Sequence, residues 1–219
     1  MNKKIKCLII DLDGTILHSG PDLFNSLNFS LKKQNLLSIP EKVIGSLVGG
    51  GAKVMIEKAF RYLELDEKKY NTDQMVSDFL DFYFENCDNR STIYPTVIST
   101  LKNLKSKYTI CLCTNKKQYL TDKILKSFEI EKYFDYILGS STELKLKPDS
   151  EMLNFILRKF NLNSENCMMI GDSHNDIIPA NKLKMLSVYV TYGYGEIDEN
   201  LEVDYKIDKF SEITQILQV

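Results

Sequence analysis

No stretch of this chain is apolar for long enough to cross a bilayer. A spanning helix needs about 20 consecutive apolar residues, whereas the first apolar run, following MNKKIK, stops at Asp11. That run is also too short for the apolar region of a secretory leader. An excess of one charge is lacking too. The 28 Lys and Arg against 30 Asp and Glu leave a net charge of -2, and the signs are interspersed, so neither nucleic acid nor an anionic membrane is expected as a partner. There are two histidines, His18 and His174. Neither has a second histidine close in sequence to build a zinc site, and both read as solvent-facing or rim residues. Internal repeats and low-complexity linkers are absent. The five cysteines, Cys7, Cys87, Cys111, Cys113 and Cys167, are an odd number, and most lie in segments that read as buried strands; a reduced, cytoplasmic protein is expected. Cys111 and Cys113, two apart on one strand, share a face of the sheet and read as packing residues.

What is present is ordinary globular sequence. Hydrophobic residues make up 43% and charged residues 26% of 219, enough for one large domain or a domain with a smaller insert. Strand-like and helix-like segments alternate from residue 107 onward. The order is strand 108–113, helix 117–128, strand 134–138, helix 151–160, strand 167–170, helix 176–183, strand 187–190 and a closing helix at 211–217. Such alternation predicts an α/β fold, a Rossmann-like parallel sheet with helices on both faces, and the first strand, 5–10, belongs to it by character. Residues 20–90 instead carry apolar residues at helical spacing, as in KVMIEKAFRYLEL and QMVSDFLDFYFENC. Pro21 and Pro40 suit first helical turns, and Gly49, Gly50 and Gly51 mark a break before another helix. The expected division is a core of 1–16 and 93–219 interrupted by a helical insert, 17–92, whose two crossings suit a hinged lid.

Four strand ends carry chemistry. CLIIDLDGT drives an apolar strand into Asp11 and Asp13, two carboxylates that period 2 points the same way. Like charges that close need a cation or a shared proton. An Asp-Gly turn with no further role is the plainer alternative. CLCTN ends in Thr114 and Asn115. These could face an anion together with helical N–H groups, or merely cap the helix. LKLKPDS offers Lys145 and Lys147; Pro148 restrains the backbone at Lys147 and makes it the better candidate for neutralising a phosphoryl oxygen. MMIGDSHND ends in Asp172, with Asp176 one helical turn on. This is an oxygen donor set of the kind Mg²⁺ takes, and it could equally be a capped helix start; the two uses can coexist.

In that order, DLDGT, TN, KP and GDSxxD resemble the four motifs of the haloacid dehalogenase-like hydrolases, over residues 5 to about 190. The resemblance implies that Asp11 is a nucleophile taking the phosphoryl group. Asp13 would protonate the leaving oxygen and then activate water. Thr114, Asn115 and Lys147 would bind the phosphoryl group, and Asp11, the Asp13 carbonyl and Asp172 would hold Mg²⁺ with Asp176 behind them. The insert looks like the family's C1-type cap. VGGGAKVMIEKAF and DLDGTILHSGPDL resemble the phosphoglycolate phosphatase branch, with Gly49, Gly50 and Gly51 against a small charged substrate. The implied activity is a Mg²⁺-dependent phosphatase of small phosphorylated metabolites, 2-phosphoglycolate among them, acting as a monomer or homodimer. A β-phosphoglucomutase-like mutase and a pyrophosphatase or nucleotidase are the alternatives. Two departures from the branch are His18, where aspartate is frequent, and Pro95-Thr96 in place of Pro-Gly.

Overall fold

A computed structural model describes residues 4–141 and 143–219. The chain divides into two compact units, Ser19–Thr92 and a second one made of the chain up to His18 together with Ile93–Val219.

The second unit is built on strands β1 (Cys7–Ile10), β2 (Thr109–Lys117), β3 (Tyr136–Ser140), β4 (Cys167–Gly171), β5 (Leu186–Val190) and β6 (Tyr205–Ile207). They pair in the order β3-β2-β1-β4-β5-β6, every pair parallel. This is the doubly wound arrangement, in which the strand order reverses beside β1 and ligands settle at the carboxyl ends of the strands flanking that point. Registration is set at the centre: Cys7 lies opposite Thr109 and Cys167, and Ile10 opposite Leu112 and Ile170. Alternation then sorts the side chains. Cys7, Ile9, Cys111, Cys113, Cys167 and Met169 form one cluster with Met152, Leu153 and Ile156 of the helix Glu151–Lys159. The alternate residues Leu8, Ile10, Ile110, Leu112, Met168 and Ile170 are equally buried on the other face. A parallel sheet needs this double cover, which is why β1 and β4 read as continuous apolar runs. Each large apolar side chain so buried contributes about 1.5–3 kcal/mol. The helix Gln118–Ser127 packs on β2 and β3, and the helix His174–Lys182 on β4 and β5.

Several boundaries differ from the sequence reading. β6, with two exposed residues and one buried, has no apolar signature and is placed by its pairing with Val188–Val190. The helix Val97–Leu104 was not read from the sequence at all. The closing helix is a 3₁₀ turn, Phe210–Glu212, leading into four residues of α-helix. Pro40 precedes a 3₁₀ turn, Glu41–Val43, instead of opening an α-helix.

The Ser19–Thr92 unit packs the helix Gly20–Lys33 and the helix Ala52–Tyr62 against the helix Thr72–Asn86. Leu23, Leu27, Leu31, Ile56, Phe60, Phe79 and Tyr83 are buried there. Pro21 stands in the first turn of its helix, where its missing N–H costs nothing. Asp22 is fully buried and accepts from the backbone N–H groups of Arg90 and Ser91 and from the Ser91 hydroxyl, at 2.7–3.1 Å. Asn28 pairs both ends of its amide with the Ile39 backbone, at 2.7 and 3.1 Å. Gly49, Gly50 and Gly51 all have positive φ, and Gly51 caps the helix that begins at Ala52.

Candidate active site

The predicted site residues of the sheet unit sit at the carboxyl ends of adjacent strands. β1 stops at Ile10, and Asp11 extends its ladder by one bond, donating its N–H to the Ile170 carbonyl at 3.0 Å. The chain then turns, with the N–H groups of Thr15, Ile16 and Leu17 all directed at the Leu12 carbonyl. Asp13 therefore reaches the site through a turn and not through the strand alternation its spacing suggests. Gly14 has φ +80°, and a Cβ there would overlap the Asp172 carboxylate, so only glycine fits.

Lys147 holds the centre together. Its ammonium donates to Asp11 Oδ1 at 2.8 Å, to the Cys113 carbonyl at 2.7 Å and to Asp176 Oδ1 at 2.5 Å. An ammonium has three donors, and all three are used. The residue is 4% exposed, whereas Lys145 is exposed, which decides between the two candidates. The Asn115 amide fixes the Lys147 backbone, giving an N–H to its carbonyl at 2.7 Å and taking its N–H at 3.0 Å. Thr114, buried within β2 where its register with β3 shifts, accepts the Lys116 N–H on its hydroxyl at 3.2 Å.

Asp172 leaves the tip of β4. Its Oδ2 accepts from the Tyr194 and Gly195 N–H groups at 2.8 and 3.1 Å. Ser173 caps the helix His174–Lys182 in a capping box closed by Asp176, whose Oδ2 accepts from the Ser173 N–H at 3.2 Å and hydroxyl at 3.1 Å. The capped helix start and the acidic cluster are thus the same residues. A carboxylate oxygen from each of Asp11, Asp172 and Asp176 lies within 4.8 Å of the others.

Three buried carboxylates against one buried ammonium leave the group short of positive charge. Burial, followed by the charges of Asp176 and Asp172, overcomes the Lys147 ammonium and pushes the Asp11 carboxyl up to about 8. Burial and Asp176 push Asp172 up to about 7 against the pull of two backbone N–H groups. For Lys147, burial alone would lower the pKa, but Asp11 and Asp176 raise it above the usual lysine value. The hydrogen bonds to Asp11 and Asp172 leave Asp11 Oδ2 and Asp172 Oδ1 with no donor among the described residues. Hard oxygens in a site lacking positive charge suit a small divalent cation.

Beside this group lies a second ion pair that the sequence reading missed. Lys116 Nζ stands 3.0 Å from Asp13 Oδ2, and the two side chains are 5% and 19% exposed. The signal was available, since Lys116 lies two residues beyond Thr114 on the same strand. Tyr194 and Gly195 act through backbone N–H groups and had no signal. His174 is exposed, as expected. His18 is not a solvent-facing residue: it is half-buried between the rings of Tyr94 and Tyr194, with its Nδ1 2.8 Å from the Tyr194 hydroxyl. Flanking tyrosines far away in sequence gave no hint of that packing. Gly49–Gly51 belong to the other unit.

Comparison with known proteins agrees with this geometry. Residues 8–190 match the family described as haloacid dehalogenase-like hydrolase. A phosphoglycolate phosphatase of Haemophilus influenzae (strain 86-028NP) is 34% identical over 225 residues, covering 99% of this chain and 100% of that protein. One from Agrobacterium fabrum is 33% identical over 211 residues, covering 95% and 91%. A crystal structure of a predicted phosphoglycolate phosphatase from Haemophilus somnus 129pt superimposes with a TM-score of 0.89 at 32% identity, covering 99% of each chain.

Proposed function

Since the chain belongs to the haloacid dehalogenase-like hydrolases and its full-length relatives mark it as a phosphatase, we propose that it hydrolyses small phosphorylated metabolites through a phosphoryl group carried on Asp11. 2-Phosphoglycolate is the first candidate substrate, by likeness to the relatives. The observation that carries the reading is the convergence of Asp11, Lys147, Asp172 and Asp176, from three separate segments, on one buried spot.

In this mechanism the Asp11 carboxylate attacks phosphorus while Asp13 gives its proton to the departing ester oxygen. Asp13 then takes a proton from the water that attacks the phosphoryl group on Asp11, releasing inorganic phosphate and restoring the Asp11 carboxylate and the protonated Asp13. Splitting the transfer in two lets one acid–base residue serve both halves. Thr114 and the Asn115 N–H receive the phosphoryl oxygens, and Lys147 screens the approach of a phosphate anion to a carboxylate. Asp11, Asp172 and the Asp13 carbonyl would hold Mg²⁺, which supplies the positive charge this acidic group lacks. Asp176 keeps Lys147 in place. The thiols are all free, in keeping with a cytoplasmic setting. No helix among the described residues is long and apolar enough to cross a membrane.

The test is hydrolysis of p-nitrophenyl phosphate and of a panel of phosphometabolites. Asp11→Asn is expected to abolish turnover while circular dichroism stays native; retained turnover would show the nucleophile is another residue. We further propose Gly49–Gly51 as determinants of ester preference. Replacing them with alanine is expected to change the ranking of the panel more than the rate on p-nitrophenyl phosphate; equal losses would mean a structural role only.

A further inference from the structure

Past Thr191, which still gives its N–H to the Ile207 carbonyl at 3.0 Å, the chain leaves the sheet and its next residues meet Asp172. The approach is close: a Cβ on Gly193 would fall 2.3 Å from the Asp172 Cβ and 2.7 Å from the Gly14 carbonyl oxygen. The Tyr194 and Gly195 N–H groups hold Asp172 Oδ2 and leave Oδ1 to a cation. Backbone donors orient a carboxylate only as well as the loop that carries them is itself held. Three phenols hold it here. The Tyr192 hydroxyl donates to the Thr15 carbonyl at 2.8 Å, the Tyr194 hydroxyl stands 2.8 Å from His18 Nδ1, and the Tyr189 hydroxyl donates to the Gly195 carbonyl at 2.9 Å. Thr15 and His18 belong to the stretch that leaves β1 through Asp11 and Asp13. Two of the three ties therefore run between the segments that bring the ion ligands together.

We propose that His18, Tyr192 and Tyr194 are positioning residues for the divalent ion: they fasten the 192–195 loop to the turn after β1 and so fix the Asp172 carboxylate relative to Asp11 and the Asp13 carbonyl. The proposal rests on the reading of Asp11, Asp172 and that carbonyl as the ion's ligands. Groups that hydrogen-bond a metal-binding carboxylate set its orientation, and losing one costs roughly 10- to 100-fold in metal affinity. In this site the direct partners of Asp172 are main-chain N–H groups, which no substitution removes. The replaceable parts are the side chains behind them. His18, which stands where the family resemblance has aspartate, gains a use by this route. Its ring lies between those of Tyr94 and Tyr194, with centroids 5.7 and 5.6 Å away, and this packing sets the direction of Nδ1 toward the Tyr194 hydroxyl.

The experiment titrates EDTA-treated, full-length protein with Mg²⁺ in a calorimeter and melts each variant without metal. Tyr192→Phe and Tyr194→Phe keep the ring and remove one hydroxyl. Each is expected to weaken Mg²⁺ binding by about 10-fold, the low end of the range because the tie acts through the backbone. His18→Leu is expected to do the same. His18→Asn, whose amide offers a hydrogen-bonding atom near the place of Nδ1, is expected to restore most of the affinity. With Mg²⁺ saturating, kcat should stay near wild type while the Mg²⁺ concentration at half-maximal rate rises in step with the dissociation constant. Metal-free melts identify any variant that has not folded, and the remaining ones decide. An unchanged Mg²⁺ dissociation constant in the folded variants, even with a lower metal-free melting temperature, would overturn the proposal and leave the ties a structural role alone. A wild type that takes up no Mg²⁺ would remove the ion assignment and this proposal with it. Turnover of p-nitrophenyl phosphate by the same wild type tests the phosphatase reading separately.

Discussion

At the scale of single residues, the site works by committing donors completely. The Lys147 ammonium has three acceptors and no spare N–H, and its backbone is held by both ends of the Asn115 amide. Catalysis of this kind depends on placement, and a displacement of about 1 Å can cost 100-fold in rate. Asn115→Ala is accordingly expected to lower kcat by roughly 10- to 100-fold, with a melting temperature that falls by only a few degrees. Steady-state kinetics beside a thermal melt checks this; a loss of stability with kcat intact would contradict it. Most of this was legible beforehand. Motif spacing singled out Asp11, Lys147, Asp172 and Asp176, and the structure brings them together. What spacing could not show is that Asn115 serves Lys147 through its side chain, because the partner is 32 residues away. Lys116 belongs to no motif of its own, and its pairing with Asp13 is a contact between residues 103 positions apart. The ring contacts of half-buried His18 were equally illegible, since its neighbours come from residues 94 and 194.

At the scale of elements, hydrophobic continuity predicted the central strands well, because a strand covered on both faces must be apolar at every position. β6 escaped notice since an edge strand has no such constraint. The helix Val97–Leu104 begins at a point of conformational strain. Thr96 caps it with φ +68°, at the position where the family resemblance leads to an expected glycine. A β-branched residue with left-handed φ costs about 1–2 kcal/mol, and glycine gives back part of the gain through its greater freedom in the unfolded chain. Thr96→Gly should stabilise the protein by about 0.5–1 kcal/mol, a rise of roughly 1–4 °C in melting temperature. A lower melting temperature would mean that the threonine side chain does something there that its backbone conformation conceals. The same amide device recurs in both units: Asn28 on the Ile39 backbone and Asn115 on the Lys147 backbone each replace a missing strand partner with one side chain.

At the scale of the whole molecule, the acidic group links metal binding to stability. Carboxyls raised to about 8 and 7 at Asp11 and Asp172 reflect burial first, and after it neighbouring negative charge that the fold itself does not balance. A divalent ion that binds the native state at 100 times its dissociation constant adds about 2.7 kcal/mol. Saturating Mg²⁺ should raise the melting temperature of EDTA-treated protein by about 5–10 °C. Asp172→Asn should abolish most of that rise, and an unchanged melting curve would argue against the ion site.

The connectivity of the sheet also dictates when these groups can first meet. β1 is made within the first ten residues, yet its two neighbours begin at Thr109 and Cys167. Contacts so distant in sequence form slowly, since long loops must close before they are rewarded. On the ribosome, the earliest strand therefore waits, its apolar faces unsatisfied, until the last quarter of the chain emerges. A nascent chain arrested before Cys167 would hold Asp11 and Lys147 without Asp172, and should depend on chaperones for solubility.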